Sequence, residues 1–433
     1  MRPPMSNESE LRREASPQRA VEGDGRAKRV LVGISSANTV TVTILAFVLS
    51  VVIGGILMIV SDQHLLTEWG YVFSKNWSDA PSDSWNKVAN GYIAMFHGAI
   101  YDPHAKQALR PIENTIVEAT PLVFAGLAVA LPFRAGLFNI GGQSQLIIGA
   151  VFATWVGFSI SAPMPLHVLL VIIAGIIGGA LVGGLTGLLK ARFGAHEVIS
   201  SIMLNNIALG VLAWLIKTKA FHDPNRQDAI SKPVKSTALL PAVSGSSPEV
   251  NLSTVLAILA VLLIWWLMTR STLGFRLRAL GSNPDAARTA GISVSRNQVY
   301  AMLLAGGLMG LVAVTQISGT LSASHAMTAT LDNGFGFTGI TVALLGRGKP
   351  VGVALAALLF GALDAGGVVM EAATTPTVPH DVVTVVQAVI VVFVAAPKLV
   401  QEIFRLRDVR RNGHTVTPSV APASAVDSAA EAV

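Results

Sequence analysis

The sequence predicts an all-α polytopic membrane protein with about ten transmembrane helices. Of its 433 residues, 52% are hydrophobic and only 13% are charged, whereas a soluble domain carries about 25% charged residues. Apolar runs of about 18 residues or more recur along the chain, and helices satisfy the backbone of such runs in lipid. The lack of cysteine excludes disulfides, thiolate metal sites and a lipid-anchored cysteine.

The lengths of the apolar runs predict ten spans within one transmembrane domain, residues 38–404. The eighth span is too short to cross a bilayer alone. We expect it to be a broken helix completed by 320–333, or a re-entrant segment. The ten spans are 38–61, 114–133, 137–159, 165–189, 195–217, 251–269, 298–319, 334–346, 351–371 and 381–399.

The basic residues predict the orientation of these spans. Lys and Arg are enriched in cytoplasmic loops. In this chain they are frequent in both tails and in the 270–297 loop, so we expect these segments to be cytoplasmic. The charge therefore fits membrane topology better than a nucleic-acid partner. The tails, 1–37 and 405–433, have the composition of disordered segments.

Two longer loops, 62–113 and 218–250, are then expected outside the membrane. The first is rich in aromatic residues, which we interpret as a belt at the membrane interface. The alternative is a platform for an external partner. These aromatic residues are Trp69, Tyr71, Trp77, Trp85 and Tyr92.

A polar island at 278–291 (RALGSNPDAARTAG) carries the start and stop signals of one short helix. Asn283 suits the N-cap, Pro284 the first helical position and Asp285 the positive end of the helix dipole. Alanines extend the helix, and Gly291 suits the position just after its end. A helix of about two turns is not stable alone in water. We therefore expect it to be held by the rest of the protein, by a partner, or by both.

Glycine recurs at every fourth position in the fourth span, which predicts close helix packing. Small residues allow two helix backbones to approach each other in lipid. Gly306 and Gly310 repeat the spacing in the seventh span. The stripe consists of Gly175, Gly179, Gly183 and Gly187.

Polar side chains at membrane depth are the candidates for a solute pathway. They are costly in hydrocarbon, so we expect irregular backbone that lines a cavity and binds a polar neutral solute. Hydrogen bonding between helices is the alternative. The sequences NIG at 139–141 and NGFG at 333–336 also hint at two related halves. The candidates are Asn139, Gln143, Ser144, Gln145, Asn205 and Asn206.

The remaining acids and motifs argue against other functions. Lone acids at Glu118, Glu197, Asp332 and Asp364 form no obvious proton relay, which disfavours a stand-alone secondary transporter without excluding it. Asp364 needs a partner that the sequence does not identify. The GRGK sequence at 346–349 resembles the end of a Walker A motif, but Pro350 replaces the required Ser or Thr. We therefore predict that the chain is not an enzyme and binds no cofactor or metal itself.

Three motifs resemble the permease subunits of bacterial ABC importers for simple sugars, nucleosides and branched-chain amino acids. They are GLFNIG at 136–141, the 278–291 island, and LLGRGKPVG at 344–352. Two more, AHEVISSIMLN at 195–205 and TPLVFAG at 120–126, are most similar to nucleoside permeases encoded with a basic-membrane-protein-type binding lipoprotein. The resemblance covers roughly residues 110–400.

The resemblance implies a type II-like ABC importer transmembrane domain, with broken or re-entrant segments, in a bacterial cell membrane. A separate ATPase subunit would use the ATP, and an external binding lipoprotein would deliver a nucleoside or a ribose-like sugar. A related second permease is implied, as a heterodimer more than a homodimer. The short helix would be the coupling helix, and its coupling residues would be Gly281, Asn283, Pro284, Asp285, Ala286, Ala287, Arg288 and Gly291.

The chain departs from the family at two positions of the segment 139–145, which we call the polar segment. Gln143 and Ser144 stand where the family usually has Glu and Gly. Gln143 keeps the capacity for hydrogen bonding but has no charge. A role of the family's Glu in solute contact or gating therefore does not carry over to this chain.

Overall fold

The chain folds into α-helices, as its composition predicts. A computed structural model describes residues 39–71, 78–103, 107–243, 250–319, 321, 324–374, 377–396, 399 and 402–404, so both predicted tails lie outside the described residues. The chain divides into a body, 47–395, and two chain ends, of which the structure describes the start of the first helix and a few residues after the last. The fourteen α-helices of the described residues are α1 (Thr39–Val60), α2 (Gln63–Gly70), α3 (Asp79–Ala99), α4 (Arg110–Phe133), α5 (Gly142–Ser159), α6 (Met164–Phe193), α7 (Glu197–Leu215), α8 (Leu252–Arg270), α9 (Thr272–Ser282), α10 (Pro284–Thr289), α11 (Val294–Ser318), α12 (Phe335–Leu345), α13 (Pro350–Ala373) and α14 (Asp381–Ala395).

Each of the ten predicted spans contains a helix. Among the described residues, six helices are long and apolar enough to cross a membrane: α4, α6, α7, α8, α11 and α13. The segment Ile44–Val60 of α1 would make a seventh span together with α2, from which it is bent by 81°. α5 opens with polar residues, and α12 and α14 are shorter apolar helices. The described residues just before α12, 324–334, form no helix, so the eighth predicted span is a short helix of 11 residues.

The helices α4 and α11 form the centre of the body. Most of their side chains are buried around the whole circumference of the helix, which is typical of a helix enclosed by others. α11 packs along α6, and α13 packs along α4. The body is thus built around two closely packed helix pairs.

The segment predicted as the first external loop contains two helices. Asp62 caps α2 by accepting a hydrogen bond from the backbone N–H of His64 at 2.9 Å. Its carboxylate also lies 3.1 Å from the Lys87 ammonium on α3. α3 packs against α13, where a Cβ on Gly98 would lie 2.6 Å from Cβ of Val369. The loop prediction missed α3 because its polar side chains obscure the apolar helical spacing.

The second predicted external loop is tied to the residues that precede α12. The backbone N–H of Ser231 donates to the Met327 carbonyl at 3.0 Å, and that of Val234 donates to the His325 carbonyl at 2.9 Å. A ring nitrogen of His167, buried in α6, lies 2.7 Å from the Thr237 hydroxyl. These bonds satisfy backbone and side-chain groups that an irregular loop would otherwise leave unpaired.

Candidate functional site

The 270–297 loop contains two helices, α9 and α10, where the sequence predicts one. They meet at Asn283, whose side chain accepts hydrogen bonds from the backbone N–H groups of Asp285 at 2.9 Å and Ala286 at 3.0 Å. This is the predicted N-cap arrangement. Gly291, after the end of α10, has a φ of +79°, a conformation that favours glycine. The single predicted helix is α10, and α9 was not foreseen.

The residues of α10 divide into an exposed face and a buried contact. Asp285 and Arg288 are exposed, and their charged groups lie 3.3 Å apart. Pro284 and Ala286 are exposed as well. Ala287 is only 4% exposed, so it holds α10 from beneath and contributes little to the outer surface. A docking partner would therefore meet Arg288 before Ala287.

Gly281 places α9 directly against the turn that follows α4. A Cβ at position 281 would lie 2.9 Å from the carbonyl carbon of Arg134 and 3.0 Å from the backbone nitrogen of Gly136. Such an approach leaves room for no side chain. The turn continues into residues 137–141, which begin the polar segment. The loop therefore contacts the turn that leads directly into the polar segment.

The polar segment is held by an amide pair in the interior. The side-chain nitrogen of Asn139 donates to the Gln145 oxygen at 3.0 Å, and the Gln145 nitrogen donates back to the Asn139 oxygen at 2.9 Å. Asn139 also reaches the carbonyl of Ala128 inside α4, at 3.3 Å. Both amides are fully buried. Buried amides need such partners, and here they stabilise non-helical backbone within the body.

Asn205 of α7 caps the start of α5 from a neighbouring helix. Its oxygen accepts a hydrogen bond from the backbone N–H of Ser144 at 3.0 Å, and its nitrogen donates to the Ile140 carbonyl at 3.0 Å. The Ser144 hydroxyl donates to the Gly141 carbonyl at 2.8 Å. The first N–H groups of a helix lack intrahelical partners, and Asn205 supplies one.

Gln143 connects the two irregular segments that the sequence relates to each other. Its side-chain nitrogen donates to the Asp332 carboxylate at 3.2 Å. A Cβ on Gly336 would lie 2.6 Å from the Gln143 backbone nitrogen, so the starts of α5 and α12 touch through their backbones. Gln143 is only partly buried. Among the predicted pathway residues of this network, it is the one that bonds to a charged group.

One predicted pathway residue lies apart from this network. Asn206 is exposed on α7, and its side chain donates to the Ile202 carbonyl of the same helix at 2.9 Å. The structure therefore brings together five of the six candidates, Asn139, Gln143, Ser144, Gln145 and Asn205. Asp332, known from the sequence only as a lone acid, joins them.

Two other lone acids have side-chain partners in the structure. Gln387 of α14 donates to the Asp364 carboxylate at 2.7 Å. The Lys190 ammonium lies 2.8 Å from the Glu197 carboxylate, across the connection between α6 and α7. Lys190 and Glu197 are near in sequence, so their pairing was predictable. The pairing of Gln387 with Asp364 was not predictable, because the sequence does not show which of several polar residues lies near a single glutamine in an apolar run.

The glycine stripe of α6 faces α11 along its length. A Cβ on Gly175 would lie 2.9 Å from the Gly310 carbonyl oxygen, and one on Gly187 would lie 2.9 Å from Cα of Val299. Gly179 and Gly183 lie equally close to the backbone of α11. This close packing supports the polar segment, because α5 packs against both helices.

Comparisons with known proteins match most of this body. A family model described as "Branched-chain amino acid transport system / permease component" matches residues 111–395. The chain is 38% identical over 313 residues to the guanosine ABC transporter permease protein NupP of Bacillus subtilis (strain 168), covering 71% of this chain and 86% of the relative. No match was found among solved structures.

Two further relatives differ in the solute that their names give. The chain is 33% identical over 320 residues to the nucleoside ABC transporter permease protein NupB of Lactococcus lactis subsp. cremoris (strain MG1363), covering 72% of this chain and 84% of the relative. It is 34% identical over 291 residues to the glucose ABC transporter permease protein TsgB13 of Haloferax volcanii, covering 65% of this chain and 75% of the relative.

Proposed function

The chain belongs to the family of branched-chain amino acid transport system permease components, and from this we propose that it forms the solute pathway of an ATP-driven importer for nucleosides. The observation that carries the proposal is the similarity to two relatives named as guanosine and nucleoside permeases, each aligned over more than two thirds of this chain. The similarity to a glucose permease favours a simple sugar such as ribose as the second candidate.

The polar network suits a neutral polyhydroxylated solute. Amides donate and accept hydrogen bonds, but the buried amides of Asn139, Gln145 and Asn205 are already engaged with one another or with backbone. We therefore assign solute contact to Gln143, which is partly buried and is held by its hydrogen bond to the buried Asp332 carboxylate. The other amides would hold the irregular backbone that positions Gln143.

The 270–297 loop is the proposed docking element for a separate ATPase subunit. Its exposed charges at Asp285 and Arg288 would meet the ATPase, and Gly281 would pass movement of α9 to the turn before the polar segment. The chain itself lacks a complete Walker A motif at Gly346, so the ATP would be bound and hydrolysed by the partner.

The same assembly sets the proposed orientation and the remaining partners. Both termini and the 270–297 loop would face the cytoplasm of a bacterial cell. A binding lipoprotein would deliver the solute to the opposite side, and a related second permease would complete the transporter as a heterodimer. Arg134 donates to the Gly348 carbonyl at 3.2 Å, and Gly281 of the 270–297 loop packs against the Arg134 backbone. The basic end of α4, the 346–349 turn and this loop therefore lie at one end of the body.

The substrate is tested by uptake in the native host. Deletion of the gene should abolish most uptake of radiolabelled guanosine, and the intact gene should restore it. Excess unlabelled adenosine should compete with guanosine, whereas ribose, glucose and leucine should not. Competition by ribose or glucose, with no effect of adenosine, would establish the sugar alternative instead.

The energy source is tested in the same cells. A protonophore that collapses ion gradients should leave uptake intact as long as ATP is maintained, whereas ATP depletion should stop it. Uptake that followed the ion gradient would show a stand-alone secondary transporter and would refute the importer proposal.

A further inference from the structure

A basic cavity lies where four helices end or begin at the same end of the body as the 270–297 loop. It has a volume of about 480 Å³ and carries three cations, from Arg134, Arg278 and Lys349. Among the described residues, Arg278 and Lys349 have no ion-pair partner, and Arg134 donates only to the Gly348 carbonyl. None of the described residues that line the cavity is acidic. Within the described part of the chain, its positive charge is therefore uncompensated.

The backbone around the cavity adds to this positive potential. α13 begins at Pro350, which lines the cavity together with Val351. α13 is a helix of 24 residues with no acid in its first turn and no side-chain cap. The amide groups of a helix N-terminus favour an anion. An anion in the cavity would thus meet three basic side chains and an unneutralised helix end.

The wall of the cavity is amphipathic. Trp265 and Met268 of α8 line it beside the cations, and Trp265 is 46% exposed. Tryptophan is enriched where membrane meets water. The cavity therefore combines a charged interior with a rim of the kind that lies at the level of lipid headgroups.

An apolar groove lies along three of these four helices. It has a volume of about 210 Å³ and lies between α4, α8 and α13. On α13 the lining passes from Val351 in the cavity to Ala354 and Leu358 in the groove, at intervals of one turn. The groove is lined by Ile116, Ala119, Thr120, Val123, Thr254, Ala257, Ile258, Val261, Ala354 and Leu358.

One face of α8 lines both spaces. Thr254, Ile258 and Val261 face the groove, and Trp265 and Met268 face the cavity, which is the three-to-four-residue spacing of one helix face. The Thr254 hydroxyl lies 3.0 Å from that of Thr120, so these two polar groups satisfy each other. The groove thus offers an apolar surface below a basic cavity.

We propose that this cavity and groove bind one anionic phospholipid, with its phosphate between Arg134, Arg278 and Lys349 and an acyl chain along α8 and α13. Basic pockets between the cytoplasmic ends of spans bind acidic headgroups. A free phosphate would fill the cavity but leave the groove uncovered. A helix of a second permease would cover the groove but leave the cations without a partner. A phospholipid would occupy both, with its phosphate beside the cations and its acyl chain in the groove. Because Arg278 lies on α9, the lipid would also contact that helix.

The proposal is tested by native mass spectrometry of the full chain, purified in detergent and incubated with mixed phosphatidylglycerol and phosphatidylcholine. The wild-type chain should retain phosphatidylglycerol preferentially. The double variant Arg278→Gln, Lys349→Gln should lose this preference, by roughly fivefold for each cation removed. Arg276→Gln is the matched control, because Arg276 is an exposed cation of the same helix that does not line the cavity.

Two further measurements separate the lipid from other occupants. Inorganic phosphate at millimolar concentration should not displace phosphatidylglycerol, and Leu358→Gln in the groove should weaken its retention with all three cations present. Lys349→Arg should retain binding, which guards against a folding defect as the cause. Equal retention in the double variant, or complete displacement by phosphate, would overturn the proposal. Neither result bears on the nucleoside assignment, since binding is measured without solute.

Discussion

At the scale of single residues, the pairing of Gln143 with Asp332 gives the family departure a physical meaning. The amide nitrogen of Gln143 donates to the Asp332 carboxylate at 3.2 Å. A glutamate at position 143 would place a second carboxyl group there, and two carboxylates cannot share such a site without repulsion. Glutamine is thus the residue that fits beside Asp332.

Gln143→Glu should lower both thermal stability and uptake. Loss of the hydrogen bond at a partly buried site costs about 1–3 kcal/mol, and repulsion adds to it. Unfolding of the purified chain in detergent and solute uptake in cells would both be measured. Asp332→Asn in the same chain should restore stability, because it removes the second carboxyl group. If Gln143→Met were as damaging as Gln143→Glu, repulsion would not be the cause.

The Asp62–Lys87 ion pair predicts a dependence of stability on pH. Burial acts to raise the pKa of Asp62, but the hydrogen bond from Lys87 and the backbone N–H groups of His64 and Leu65 hold that pKa below its ordinary value of 3.8. The pair therefore stabilises the fold above pH 3.8, and the contribution is lost as pH falls through the lower folded-state pKa.

Asp62→Asn should accordingly destabilise the chain at pH 7, by on the order of 1–3 kcal/mol. The difference from wild type should shrink as pH falls below 3.8. Thermal unfolding in detergent across this pH range is the measurement. Asp83→Asn is the matched control, because Asp83 is an exposed acid of α3, the helix that carries Lys87. A difference from wild type that stayed constant with pH would contradict the prediction.

The roles of the buried polar residues were only partly predictable from the sequence. The sequence singled out Asn139, Gln145 and Asn205 because amides are costly in lipid. It did not reveal that Asn205 caps α5 from another helix, since Asn205 and Ser144 are 61 residues apart. Whether a buried amide faces a solute or another amide depends on tertiary packing, which periodicity does not encode.

At the scale of helices, the glycines of α6 matter because they have no side chain and so allow close packing on α11. A Cβ on Gly179 would lie 2.8 Å from the backbone nitrogen of Gly310, which cannot move aside as a side chain can. Gly184 lies on a different face of α6, where a Cβ would meet Leu303 at an ordinary 3.7 Å. Position 184 thus has room for an alanine side chain, whereas position 179 does not.

Gly179→Ala should therefore destabilise the chain by about 1–3 kcal/mol, the usual cost of overpacking. Gly184→Ala should be neutral or slightly stabilising, since alanine has the higher helix propensity. Thermal unfolding of both purified variants is the measurement. Equal stability of the two variants would show that α6 and α11 do not pack as closely as described.

Helix prediction succeeded where the apolar spacing was continuous and failed where it was mixed. The glycine stripe indicated the packed face of α6, and the capping residues indicated α10. α3 and α9 were missed, because Asp79, Lys87 and Arg276 interrupt the apolar pattern that marks a span. Both helices gain their stability from the body on which they pack.

At the scale of the whole molecule, the proposed transporter makes α10 the contact with the ATPase. Arg288→Glu should reduce co-purification of the ATPase by roughly tenfold or more, because reversal of a charge at an interface opposes complementarity. The fold should be retained, since the Arg288 side chain is 70% exposed. Affinity pull-down with the co-expressed ATPase is the measurement.

Arg226→Glu provides the matched control for that experiment. Arg226 is also exposed and pairs with a nearby acid, Asp228, at 2.8 Å, but it lies in the loop predicted on the opposite side. Its reversal should leave co-purification unchanged. If both variants bound the ATPase as well as wild type, α10 would not be the docking element.

The fold class of the molecule was predictable because lipid restricts a spanning chain to few structures. The number of full spans was less so. In the part of the chain that the structure describes, six or seven helices meet the requirement of length and composition. Ten were expected, because α5, α12 and α14 are short or polar segments within the body. The irregular starts of α5 and α12 are where the polar network lies.

The contact between Gly281 and the turn at 134–136 has a consequence for timing. Backbone meets backbone there, with no flexible side chain to absorb displacement. Only two residues separate Gly136 from Asn139, whose amide is locked to Gln145. A displacement of α9 would therefore be transmitted to the buried Asn139–Gln145 pair with little loss. In the proposed transporter, the permease would therefore change conformation together with the ATPase movement that displaces α9, with no separate step in between.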